Sequence, residues 1–144
     1  MIEYTVKVYD SCARIWYLNG KKHREDGPAI EASNGDKQWF LDGKRHREDG
    51  PACEYVTGDK QWFLNGKRHR EDGPACEYVT GDKHWYLNGK QHREDGPAVE
   101  YADGDKAWWL NGKYMTEEQH RQQTQICSGK VVEIDGKKYV LTEV

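Results

Sequence analysis

Short runs of alternating apolar and polar residues, each closed by a turn signal, recur along this chain at a fixed interval. The opening stretch Met1-Ile2-Glu3-Tyr4-Thr5-Val6-Lys7-Val8 alternates with the period of two that places successive side chains on opposite faces of a strand. From residue 16 onward a Trp-aromatic-Leu triplet returns every 23 residues, with Trp16, Trp39, Trp62, Trp85 and Trp108 in register. In such a triplet Trp and Leu share one face, and the residue between them (Phe40, Phe63, Tyr86 or Trp109) points to the other. Each triplet runs into Asn-Gly or Asp-Gly: Asn19-Gly20, Asp42-Gly43, Asn65-Gly66, Asn88-Gly89 and Asn111-Gly112. These pairs favour a type I′ turn, because both central residues need positive φ. A second reversal falls at Thr57-Gly58-Asp59 and its copies, between Cys53-Glu54-Tyr55-Val56 and Gln61-Trp62-Phe63. The pattern predicts an antiparallel meander with two strands per unit.

The return strand of each unit is interrupted. His23, His46, His69 and His92 each open a His-Arg-Glu-Asp-Gly-Pro-Ala block, whose proline lacks the N–H that a ladder requires. The block is expected to form a loop or a wide bulge. No unit can bury its own apolar face, so neighbours must do it by stacking, and stability becomes roughly a sum of nearest-neighbour terms. The expected fold is an all-β repeat: an elongated, single-layer antiparallel meander of stacked hairpins with a short C-terminal helix and a closing hairpin. Residues 1–15 read as an N-terminal capping half-repeat, 16–113 as the array and 114–144 as the C-terminal cap. Thr116 followed by Gln119 forms a capping-box signature, which places a helix over about residues 117–125. Val131 to Leu141 reads as a hairpin around Asp135-Gly136. A β-solenoid, with one unit per coil, is the alternative geometry; it would stack equivalent residues about 4.8 Å apart, and the Asn-Gly turns argue against it.

Composition changes this picture little. Among 144 residues 35% are hydrophobic and 33% charged, with a mean hydropathy of −1.10, which suits a thin architecture better than a thick core. Six Trp and nine Tyr argue against disorder. A net charge of −3 gives no electrostatic case for nucleic-acid binding. No apolar run approaches the length of a membrane span, and the N-terminus lacks the apolar stretch of a signal peptide. Cys12, Cys53, Cys76 and Cys127 form no CxxC pair, so the expectation is a soluble protein of a reducing cytoplasm.

The unit length and the pattern Trp-x-x-Asn-Gly-Lys-x-His…Gly…Tyr-x-x-Gly-Asp resemble the MORN repeat over roughly residues 16–113, particularly its bacterial and tailed-phage variants. That resemblance implies β-hairpins stacked into a gently twisted single layer and a role in protein interaction or scaffolding. It also implies a phage-encoded protein of the host cytoplasm, with inhibition of a host defence component as a purpose. The unit departs from the usual pattern: Arg24, Arg47, Arg70 and Arg93 stand where a MORN unit has Gly, so the loop here is longer and charged.

The four His-Arg-Glu-Asp blocks hold a potential base, acids and a guanidinium, yet two strands per unit would separate equivalent groups by roughly 10 Å. Catalysis needs convergent groups, and zinc needs ligands about 2.0–2.3 Å from the ion, so neither an enzyme nor a metal or cofactor is expected. The same spacing keeps Cys53 and Cys76 beyond the roughly 7 Å of a disulfide. The aromatic rows read first as the core of a thin sheet. Two faces carry aromatics, however, and an exposed surface of aromatics and arginines suits a protein-binding hot spot. The expected function is therefore a non-enzymatic module that binds and blocks a protein through Arg24, Arg47, Arg70 and Arg93 with Phe40, Phe63, Tyr86 and Trp109. On that reading the arginines could be replaced with little loss of folding. Sequestration of a nucleotide or other small molecule, and a purely structural role with self-association, are the alternatives.

Overall fold

The architecture follows from a computed structural model that describes residues 2–125 and the backbone of 131–140, with side chains given from residue 135 in the last segment. It is an open antiparallel meander. Eleven of the 12 strands of the main sheet follow one another in sequence order, beginning with β1 (Tyr4–Val8) and β2 (Arg14–Leu18), and the twelfth, Lys21–Lys22, pairs with β2 off that path. This sequential antiparallel order excludes the solenoid alternative.

One unit shows how the residues build the layer. Lys60–Gln61 pairs on one side with Cys53–Glu54, across the Thr-Gly-Asp turn, and on the other with Cys76–Glu77. The same chain line continues as Phe63–Leu64, which pairs with Lys67–Arg68 across Asn65-Gly66. Asn65 and Gly66 have φ of 50° and 80°, the left-handed values that a type I′ turn demands. Gln61 lies opposite Cys76 and Phe63 opposite Arg68, so the single residue Trp62 faces residues 69–75. The His-Arg-Glu-Asp-Gly-Pro-Ala block is thus a very wide bulge. Trp62 closes it at both mouths: its N–H donates to the Ala75 carbonyl at 2.8 Å, and its carbonyl accepts from His69 N–H at 3.1 Å. The expected continuous Trp-Phe-Leu strand is split at Trp39, Trp62 and Trp85 for this reason, and the outer halves form two-stranded hairpins beside the main sheet, whereas Trp16 and Trp108 lie within unbroken strands.

Two rows cross the sheet at right angles to the strands. On one face the register sets Glu31, Lys37, Glu54, Lys60, Glu77, Lys83, Glu100 and Lys106 side by side, with Arg14 at the head, so charges alternate in sign at every step. Opposite charges directly across a pair contribute roughly 0.2–1 kcal/mol each. On the other face Ile30, Gln38, Cys53, Gln61, Cys76, His84 and Val99 form the parallel row. Cys53 and Cys76 flank Gln61 from either side, two strand spacings or about 10 Å apart, and both are free thiols in the core. Ala29, Ala52, Ala75 and Ala98 are wholly buried, and Ala52 packs with Cys53, Phe63, Trp39 and Tyr55.

Both ends depart from the repeat. At the C-terminal end α1 (Glu117–Gln125) packs on the strand Lys106–Leu110. Its capping box is closed in both directions: Thr116 N–H donates to Gln119 Oε1 at 3.0 Å, and Gln119 N–H to Thr116 Oγ1 at 3.1 Å. His120 is buried and bonds through Nε2 to the Arg93 carbonyl. Val131–Ile134 and Lys137–Val140 form the closing hairpin around Asp135-Gly136. Cys127 and Leu141 fall outside the described residues. At the other end β1 pairs with β2 alone among the described residues.

Candidate functional site

The sequence singles out two sets of residues, and the structure places them on opposite faces. Each loop arginine lies flat on the Trp that precedes its bulge. In the second unit the Arg47 Cζ atom is 3.9 Å from the Trp39 ring centre; Nε donates to Asp49 at 3.0 Å, and Nη1 to the Pro51 carbonyl at 3.0 Å and to Glu54 at 2.8 Å. Arg24, Arg70 and Arg93 repeat this arrangement on Trp16, Trp62 and Trp85. The bulge glycine serves the same clamp: a Cβ on Gly50 would lie 2.9 Å from the Arg47 guanidinium carbon. Planar guanidinium, ring and glycine backbone form a sandwich that lysine could not reproduce. The arginines sequence reasoning assigned to a partner are therefore held by their own unit. This geometry argues against the expectation that they can be replaced with little loss of folding.

Each histidine joins neighbouring units. His46 Nδ1 accepts the N–H of Asn65 at 3.0 Å, so the imidazole carries its proton on Nε2, which faces Glu48 at 3.6 Å. His23, His69 and His92 do the same for Asp42, Asn88 and Asn111. The turn aspartates work in parallel: Asp36, Asp59 and Asp82 accept the N–H of Val56, Val79 and Ala102 at 2.7–2.8 Å. The polar signature of the repeat is largely consumed in holding one unit to the next.

Phe40 and Phe63 are buried, and Tyr86 and Trp109 half-buried, in a stack on the opposite face. Arg45 lies between Phe40 and Phe63 at 5.5 and 5.6 Å from the ring centres, and Arg68 between Phe63 and Tyr86 at 5.6 and 5.5 Å. Sequence reasoning missed Arg45 and Arg68. The signal was present: a two-residue turn after Phe63-Leu64 puts Arg68 directly across from Phe63. Nε of both is buried without a hydrogen bond, while Arg45 Nη2 donates to Gln38 Oε1 at 3.2 Å. Burial pushes the Cys53 and Cys76 thiols up from their ordinary range, with Arg45 and Arg68 opposing. Neither thiol is an accessible nucleophile.

What faces solvent is the outer rim of the bulges. Glu48, Asp49, Glu71 and Asp72 are each 84% exposed or more, whereas the arginines behind them are about four-fifths covered. Between successive bulges lies an open cleft, and three copies recur, of about 790, 670 and 690 Å³. In the central cleft Trp62 and Leu64 line the floor, and the walls are Arg47 to Pro51 on one side and His69 to Asp72 on the other. Among the described residues no three His, Cys, Asp or Glu side chains converge as a metal-ligand set. No described helix is long and apolar enough to cross a membrane. No family model and no curated relative matches the chain.

Proposed function

We propose that the protein is a protein-binding ribbon whose contact surface is the row of clefts between the bulges, and that it acts by covering its partner rather than by chemistry. The observation that supports this is the threefold repetition of one cleft, with an apolar floor and carboxylate rim, along a rigid sheet. The clefts recur every two strands, or about 10 Å, close to one turn of a polyproline-II segment, whose three residues at roughly 3.1 Å each return side chains to the same face. The matching partner is a protein surface or segment that presents Lys or Arg at that spacing. Aliphatic stems would cover Trp and Leu, and the charged heads would meet the rim carboxylates. In the MORN-like, phage-encoded setting that the sequence pattern implies, the partner would be a host protein such as a defence effector, blocked by occupancy.

The test is capture of partners from bacterial lysate on the tagged full-length protein, beside the Glu48→Lys/Glu71→Lys variant. Both glutamates are exposed and outside the arginine clamp, so the variant should fold. A stoichiometric partner that is kept by the wild type, released by salt and lost by the variant is the expected result. Equal retention by both proteins would remove the clefts from the account. A bound small molecule in place of a protein would favour sequestration.

A further inference from the structure

The two ends of the sheet are finished differently. At the C-terminal end α1 packs on Lys106–Leu110, with His120 buried, and Lys113–Met115 is the outermost strand. At the N-terminal end the outer edge of β1 has no partner among the described residues. The hydrogen bonds show which groups are left over. Glu3 exchanges bonds with Asn19, its N–H to Oδ1 at 3.1 Å and its carbonyl from Asn19 N–H at 2.9 Å, and Tyr9 N–H donates to Ala13. Odd residues of β1 therefore turn their backbone inward to β2, and the N–H and C=O groups of Tyr4, Val6 and Val8 face outward. Their side chains, with that of Ile2 just before the strand, share one face and are 47–68% exposed.

We propose that β1 pairs with β1 of a second copy, antiparallel about a two-fold axis at Thr5, joining two ribbons into one continuous sheet. Charge selects the register. Outward-facing even residues must lie opposite even residues, so the axis can pass through Tyr4, Thr5 or Val6. With the axis at Thr5, Glu3 faces Lys7 twice, Thr5 faces Thr5, Tyr4 faces Val6 and Ile2 faces Val8. Shifting the axis by one residue either way sets Glu3 against Thr5 or Tyr9 and leaves Lys7 without a carboxylate. The favoured register pairs opposite charges on one face and apolar groups on the other, both of which stabilise an antiparallel pair. The contact is isologous and closes at two copies, which also shields an edge otherwise prone to open-ended association.

Sedimentation equilibrium of the full-length protein tests this with Lys7→Glu, Glu3→Lys and the double exchange. Both side chains are exposed, and unchanged circular dichroism melts would show that the variants fold. The wild type should be a reversible dimer; each single reversal should weaken association about tenfold, since two pairs change sign, and the double exchange should restore it. A wild type that stays monomeric at its highest soluble concentration would overturn the proposal. So would self-association indifferent to the single reversals, or open-ended assemblies in place of a closed dimer. Cleft-dependent capture of a partner reads a different surface, so either result stands without the other.

Discussion

Both faces of the ribbon stack cations on aromatic rings, but they hold those cations by different means. On the bulge face every guanidinium is fixed by an aspartate, a proline carbonyl and a strand glutamate as well as by its Trp. On the other face Arg45 and Arg68 lie between rings with Nε unbonded, and the one side-chain hydrogen bond given for them runs from Arg45 Nη2 to Gln38 at 3.2 Å. The chain carries its own controls. The clamped position is Arg in all four bulges, whereas the position of Arg45 and Arg68 is Lys22 in the first unit and Gln91 in the fourth. A site defined by directional hydrogen bonds accepts one side chain; a site defined by stacking accepts several that are long and flat or flexible.

That contrast can be broken most directly at Arg70. Arg70→Ala removes two charge-assisted carboxylate contacts, a carbonyl bond and the cover of Trp62, and should cost about 2–4 kcal/mol by urea unfolding. Arg70→Lys should recover less than half of this, because a point charge cannot replace the fork. Full recovery by Lys would mean that charge, not the planar clamp, sets the requirement. Gly73→Ala comes next. Its Cβ would meet the Arg70 guanidinium carbon at 3.0 Å, and the clamp leaves that group nowhere to move, so a loss of about 1–2 kcal/mol is expected. If the Arg70→Ala background hides this loss, the two act through one contact; an additive loss would separate them.

Arg68→Gln, which copies Gln91, should cost less than about 1 kcal/mol. A loss as large as that of Arg70→Ala would erase the distinction between the faces. The smallest effect is a pH dependence at His84, which replaces the glutamines of the earlier units and sits edge-on to Tyr78 and Tyr101 at 5.5 and 6.1 Å. Burial lowers its pKa from the ordinary 6.5, with Asp82 opposing. The unfolded chain therefore takes up its proton first. The contribution of neutral His84 is complete above pH 6.5 and declines as pH falls from there toward the lower folded value. Urea titrations of the wild type and of His84→Gln should diverge in that window, the wild type losing more; parallel curves would show that His84 does not sense its burial.

Nearly all of the strand order was legible from repetition and turn chemistry. Asn-Gly at 23-residue spacing demands hairpins because two consecutive positive φ angles suit little else, and Thr116 with Gln119 marked the helix start because both reciprocal bonds are local. The site was less legible. Arg47 and Arg70 looked like free recognition groups because the bonds that occupy them reach Glu54 and Glu77 across the bulge, and bulge geometry depends on where Trp39 and Trp62 anchor its two mouths. Phe40 and Phe63 looked half-exposed because alternation names a face without saying what covers it; the cover is Arg45 and Arg68 from the return strands.

By itself the sequence determined what depends on contacts close along the chain: the turns, the strand alternation, the helix cap and the period of the array. The tertiary structure decided what depends on one unit meeting the next. It turned each bulge arginine inward, left the carboxylates as the rim of three clefts, and left β1 with a row of outward backbone groups. Local rules fix dihedral angles, but exposure is a property of neighbours, and function at a surface begins with what the neighbours leave uncovered.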